Sequence, residues 1–279
     1  MEQAGVFSEK SIDQVKDYWN SRPCNIRHSP AEVGTKEYFD QVEERKYKVE
    51  PHIPGFAQFE RWRGKKVLEI GCGIGTDTMN FARAGAEVTA VELSIESMNV
   101  AKKRAEVFGL TDSITFYHAN AEELSKVVPI EEYDLIYSFG VIHHTPHPER
   151  AIKEIKKYTK PSTVLKLMLY YRWSWKVLWI MMTDGKFRFW ELDKFIAKNS
   201  EAQTGCPVTY SYGHKSVRKF LKGFKVIKSQ ADHIFPYRIL DYKEYRYVKV
   251  WYFRFMPRPL FRLLEKTFGW HLCVDAIPE

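Results

Sequence analysis

The segment Val67-Leu-Glu-Ile-Gly-Cys-Gly-Ile-Gly75 constrains this chain more than any other. A short apolar run ends in three glycines at alternate positions, Gly71, Gly73 and Gly75. Glycines there let a ligand approach the backbone where side chains would collide. Thr76 follows as the candidate N-cap of a helix that Gly85 terminates, so the segment reads as strand, loop, helix. A second apolar run, residues 88–91, ends at Glu92, 21 residues after Gly71. A carboxylate at that strand end can accept both hydroxyls of an adenosine ribose, which points to a nucleoside cofactor. A dinucleotide site wants G-x-G-x-x-G with pyrophosphate on the helix N-terminus. This loop is G-x-G-x-G with Glu69 two residues ahead, and an acid there repels phosphate and suits a positively charged ligand.

The same alternation continues along the chain. Ser94 caps a helix whose Ile95, Met98, Ala101, Ala105 and Phe108 mark one buried face before Gly109 stops it. Further strands are expected at 114–117, 135–139 and 164–170, with a helix opened by Pro148 and running to about Tyr158. Two last strands are expected at 224–228 and 271–276. Repeated βα units imply a doubly wound, mostly parallel seven-stranded α/β sheet with helices on both faces. Residues 1–63 read as an N-terminal cap or lid. Residues 64–279 read as the α/β domain, with substrate-side insertions at about 172–215 and 236–268.

Composition supports a folded chain. At 44% hydrophobic and 28% charged residues it is not a disordered, collagen-like or heptad-repeat protein. Four cysteines (Cys24, Cys72, Cys206, Cys273) form no C-x-x-C pair, so no metal site is expected and the thiols are read as reduced. Cys24, beside Pro23, is read as packing under the cap, and Cys72 as a small packed residue of the glycine loop. The first residues, MEQAGVFSEK, lack an apolar core, and the apolar run at 177–182 is too short to cross a bilayer. A soluble, cytoplasmic protein is the expectation. The net charge is +8, and residues 236–268 carry eight basic against three acidic side chains among many aromatics. That stretch is read as a packing surface with snorkelling Arg and Lys.

The loop, with Glu69 ahead of it and Glu92 on the next strand, resembles the class I S-adenosylmethionine-dependent methyltransferases, and the resemblance runs over about residues 64–170. It implies a Rossmann-like fold and S-adenosylmethionine as cofactor, held by Glu69, Gly71, Cys72, Gly73, Gly75, Thr76, Glu92 and Leu93. Asn120-Ala121-Glu122 stands where the family binds the adenine edge, with Asn in place of the usual Asp. The fourth strand and its exit, from Tyr133 to Arg150, are similar to small-molecule methyltransferases of the quinone C-methylase kind. That likeness puts Phe139 at the methionine end and His143 and His144 where substrate enters. The family's Pro-Gly-Gly turn is Pro161-Ser162-Thr163 here.

Methyl transfer from a sulfonium needs an in-line nucleophile, exclusion of water and, for a hydroxyl or ammonium, removal of a proton. His143 and His144 are the candidate catalytic bases, and being adjacent they point different ways, so at most one faces the substrate. Tyr170, Tyr171, Arg172 and Trp173 follow the fifth strand, at the carboxyl edge where open α/β sheets bind ligands, and are the candidate substrate contacts. The expected function is methyl transfer to oxygen, nitrogen or carbon of a small organic acceptor. Two alternatives stand beside it. One is an RNA methyltransferase using the basic aromatic stretch, although the motif of the base-amino-methylating enzymes is absent after the fourth strand. The other is a cofactor-binding scaffold without catalysis.

Overall fold

The computed structural model describes residues 7, 9–185, 187–203 and 205–279. Residues 1–6 and 8 of the expected cap, and Lys186 and Thr204 of the first expected insertion, lie outside the described residues. One sheet organises the chain: β1 (Lys66–Ile70), β2 (Glu87–Glu92), β3 (Ile114–His118), β4 (Tyr133–Phe139), β5 (Thr159–Tyr171), β6 (Ser211–Tyr212), β7 (Phe224–Asp232) and β8 (His271–Pro278). The order is β3-β2-β1-β4-β5-β8-β7, with β6 pairing β5 off that path. Strands β1 to β5 run parallel, and β8 is antiparallel to both β5 and β7.

All seven expected strands are present, and β6 is the eighth. Its two residues are too few to carry an alternating pattern, so the sequence gives no sign of it. The turn that replaces Pro-Gly-Gly is absorbed into β5 as an irregularity. Register jumps between the pairs Tyr133–Thr159 and Leu135–Val164. The Thr163 hydroxyl fixes this bulge, donating to the Tyr133 carbonyl at 2.6 Å and accepting from the Lys160 amide at 2.8 Å. Pro161 is tolerated where no ladder donor is needed.

The central strands are buried on both faces, as parallel sheets between helices are. Leu68, Ile70 and Ile136 join one core with Ile152 and Ile155. Val67, Leu135 and Tyr137 join the other with Met79, Phe81 and Ala101. Before the sheet lie α1 (Ile12–Ser21), α2 (Lys36–Val49) and α3 (Ile53–Ala57). Ser11 closes a capping box with Gln14 on α1, and Thr35 caps α2. Within the α/β unit come α4 (Thr76–Arg83), α5 (Ile95–Phe108) and α6 (Pro148–Lys156). Ser94 caps α5 and Gly109 ends it at φ +64°, as expected.

Thr76 departs from its expected capping role. Gly75 is the N-cap of α4 and contributes no side-chain bond. Thr76 is the first helical residue, and its hydroxyl accepts from the buried Arg104 guanidinium at 2.7 Å.

The expected insertions are helical. The first holds α7 (Trp175–Thr183), α8 (Leu192–Gln203) and β6. After α9 (His214–Phe220) and β7, the second holds α10 (Ile239–Lys243), α11 (Trp251–Arg254) and α12 (Arg258–Phe268). The basic aromatic stretch divides in two. Around α10, Arg45 of α2 stacks on Tyr242 and Tyr245, with its guanidinium carbon 4.0 and 4.4 Å from the ring centres. Arg45 also donates to the Tyr242 carbonyl, so this half packs. Further on, Trp251 is 75% and Phe255 77% exposed, which corrects the expectation of a packing surface there. Arg246 pairs with Asp241, and Arg262 with Asp232 and Glu265. No helix among the described residues is long and apolar enough to cross a membrane.

Arg104 joins α5 to the N-terminal segment. It is fully buried, and besides Thr76 it donates to Glu43 at 2.8 Å and to the Phe39 carbonyl at 3.2 Å. Arg104→Ala leaves these acceptors without their donor and is expected to lower unfolding free energy by about 3 kcal/mol. Urea denaturation of Arg104→Ala, Glu43→Ala and the double variant checks this; additive effects would show that the pair is not coupled.

Candidate active site

A cleft of about 280 Å³ opens at the carboxyl ends of β1, β2 and β4, closed on one side by the N-terminal segment. This is where open α/β sheets take ligands. The three glycines of its floor all have positive φ, for three different reasons. A Cβ on Gly71 would lie 2.2 Å from Val141 Cγ2, so packing excludes it. On Gly75 it would press on Ala101 at 3.1 Å, where α4 meets α5. On Gly73 it would meet nothing within 4 Å, and Gly73 lines the cleft, so a ligand can approach the backbone there.

Glu92 ends β2 beside this loop and is buried. Its carboxylate accepts from the Gly73 amide at 2.7 Å, Leu93 at 2.9 Å and Ser94 at 2.8 Å. The residue read as a ribose contact is therefore also the brace of the glycine loop. Burial pushes its pKa up, against these three amide bonds. Across the cleft, the Asn120 side-chain oxygen accepts from the Glu122 amide at 3.0 Å, turning the chain so that Asn120 and Ala121 line the site.

The structure separates the remaining candidates. Cys72, Gly71, Thr76, Leu93 and Phe139 line the cleft, as do Tyr170 and His144. Gly75 lies behind it, at the helix contact. Glu122 is turned away and accepts from the His147 amide at 2.7 Å. Glu69 sits beneath the loop, where its carboxyl accepts from the Thr78 hydroxyl at 2.6 Å. Burial, then the nearby Asp77 charge, pushes Glu69 up to about 8. Its charged form is therefore disfavoured where it sits.

Of the histidines, His143 is fully buried, does not line the cleft, and neither ring nitrogen has a hydrogen-bond partner among the described residues. Burial, then the neighbouring His144, holds its pKa well below the usual histidine value. His144 does line the cleft. Its Nδ1 faces the Val208 carbonyl at 2.8 Å, and a carbonyl only accepts, so Nδ1 carries the proton and Nε2 is the basic nitrogen.

Tyr171 points to the opposite core and Arg172 pairs with Asp193 at 3.1 Å, while Trp173 is 60% exposed. Period-2 alternation along β5 sends Tyr170 and Tyr171 to opposite faces. Cys24 lines the cleft and is exposed, not packed under a cap.

Among the cleft residues with no signal in the sequence are three that carry charge or an imidazole. Lys46 of α2, Glu50 just beyond it and His271 of β8 reach the site from segments far apart in the chain. Lys46 is buried and pairs with Asp77 at 2.7 Å. Burial works against its ammonium, but Asp77 holds its pKa above the ordinary value.

Residues 67–162 match the family described as "Methyltransferase domain". That stretch is about a third of the chain. The chain is 36% identical over 105 residues to a ubiquinone biosynthesis O-methyltransferase of Actinobacillus pleuropneumoniae serotype 7, covering 37% of this chain and 44% of that protein. The chain thus spans less than half the length of the curated relatives it matches. Among solved structures, magnesium protoporphyrin IX methyltransferase from Synechocystis PCC 6803 superposes with a TM-score of 0.59 at 15% identity, over 96% of this chain and all of that one. A SAM-dependent methyltransferase from Aquifex aeolicus does so with 0.52 at 14%, over 87% and 98%. At such identities the likeness is one of fold.

Glu69 gives the fold a pH signature. Its native pKa lies above the ordinary carboxyl value of 4.5, so between about pH 4.5 and 8 the folded chain holds a proton that the unfolded chain releases. Its contribution makes stability fall as pH rises through that window. Glu69→Gln keeps an acceptor for Thr78 and is expected to remove part of the slope in urea denaturation between about pH 5 and 8. Parallel slopes for both proteins would contradict this.

Proposed function

We propose that this chain transfers a methyl group from S-adenosylmethionine to a small organic acceptor. One observation carries the reading: a glycine loop open at Gly73, braced by a buried carboxylate at the end of the next strand. Those residues fit the cofactor, because an open backbone edge beside Glu92 suits a ribose and offers no cradle for pyrophosphate. The family match and the relatives support it.

S-adenosylmethionine supplies a methyl carbon made electrophilic by a cationic sulfur. Glu92 would accept from the ribose hydroxyls, the 119–121 segment would border the adenine, and Phe139 and Gly140 would face the methionine end. Glu69 and the Lys46–Asp77 pair lie beneath, where a carboxyl near its titration point can ionise as a cation arrives. Residues 12–25 of the N-terminal segment act as the lid, with Ile12, Val15 and Trp19 excluding water. On the acceptor side, His144 takes the proton from a hydroxyl or ammonium acceptor and Tyr170 shapes the pocket; His143 acts only by packing.

Calorimetry with S-adenosylmethionine and S-adenosylhomocysteine is expected to show binding, and NAD none. Glu92→Gln is expected to weaken binding about tenfold, near 1.4 kcal/mol, the value of a charge-assisted hydrogen bond. Tighter binding of NAD would overturn the reading. Labelled S-adenosylmethionine in a fractionated cell extract, followed by mass spectrometry, identifies the acceptor. With that acceptor, His144→Gln is expected to lower turnover at least a hundredfold while S-adenosylhomocysteine affinity holds. Unchanged turnover would remove His144 as the base.

A further inference from the structure

Along the cleft wall lies a cluster that methyl transfer as described does not use. Glu50, His233 and His271 each present one donor atom, all within 4.8 Å of one another. Both histidines are buried, and Glu50 and His271 line the cleft. His271 Nε2 stands 3.6 Å from a Glu50 carboxylate oxygen. Its other nitrogen, Nδ1, lies 3.0 Å from His52 Nε2, and the His52 ring stacks on His233 at 5.4 Å.

We propose that Glu50, His233 and His271 form a binding site for one divalent transition-metal cation, open to the acceptor side of the cleft. Two imidazoles and a carboxylate suit Zn²⁺, Co²⁺ or Fe²⁺ better than Mg²⁺ or Ca²⁺, which prefer oxygen donors throughout. Donors sharing such an ion at about 2.1 Å stand up to roughly 4.2 Å apart, so side-chain adjustments of under an ångström bring these three into range. His52 fits the supporting role. A proton on His271 Nδ1, donated to His52, leaves Nε2 as the ligand and fixes the ring.

The backbone also points to a built site. His233 is held at φ +69°, a conformation uncommon for a side-chain-bearing residue. Its amide donates to Asp232 at 2.9 Å and its carbonyl accepts from the Trp270 amide at 2.7 Å, so both backbone groups secure that conformation. Three protein ligands leave coordination positions for water or for an oxygen of the acceptor. This last step rests on the proposed methyl transfer; the metal site does not.

The test is titration of the full chain, stripped with a chelator, with Co²⁺ and Zn²⁺. The expected result is one equivalent bound, with a visible Co²⁺ spectrum of four- or five-coordinate intensity that Zn²⁺ abolishes. His233→Ala, His271→Ala and Glu50→Gln are each expected to weaken binding at least tenfold, His52→Ala about tenfold, and His214→Ala, outside the cluster, not at all. No stoichiometric binding, a spectrum of the hydrated ion, or affinity indifferent to the cluster variants would overturn the site. The wild-type spectrum decides even where a variant fails to fold. S-adenosylhomocysteine binding to the metal-free chain is measured alongside: its loss would overturn the cofactor reading, whereas its retention without metal binding would overturn only this proposal.

Discussion

Asp77, in the first turn of α4, is bonded by three side chains from two other parts of the chain. Lys46 and Tyr47 of α2 reach one carboxylate oxygen at 2.7 and 3.0 Å, and Tyr137 of β4 donates to the other at 2.9 Å. A charge buried this deeply is tolerable only with such partners, so the N-terminal segment, the helix after the glycine loop and the middle of the sheet are held to one geometry. The position suits the carboxylate twice, because the positive end of the α4 dipole adds to the ammonium of Lys46. The cleft wall made by the N-terminal segment follows from this tie and from Arg104, which binds Thr76 and Glu43 on its other side.

The same buried acid sets the electrostatics beneath the cleft. Burial, then the Asp77 carboxylate beside it, disfavours the charged form of Glu69 and pushes its pKa up to about 8. Burial raises Glu92 too, but there three backbone amides work against that shift. Two carboxyls at successive strand ends therefore have different work: Glu92 fixes the loop and faces the cleft, while Glu69 can respond to the charge of what binds above it.

What could be read in the sequence was local. Strand β1 and its loop were legible because apolar run and glycines are contiguous, and Ser94 and Gly109 marked the ends of α5 because caps act within a single turn. Thr76 misled for the same reason: it has the right chemistry for a cap, but Arg104, 28 residues on, claims its hydroxyl. His143 and His144 could be placed at the cleft, but which of them faces it depends on Val208 in a distant segment. Glu50, His233 and His271 meet only through the antiparallel pairing of β7 with β8 and the return of α2 against the sheet, contacts with no spacing rule. Tyr171, Arg172 and Trp173 were drawn to the site by neighbourhood in sequence, and strand alternation and the Asp193 ion pair turned Tyr171 and Arg172 elsewhere.

The central claim is that the glycine loop, the end of β2 and the N-terminal segment together form one cofactor cleft. Amide hydrogen exchange with and without S-adenosylhomocysteine tests it most directly, because it reads each segment separately. The account predicts that the ligand slows exchange in residues 71–76, 92–94 and 119–121, and with them in residues 12–25 of the N-terminal segment. Protection confined to any other part of the sheet, or protection of the loop with no change in the N-terminal segment, would contradict it.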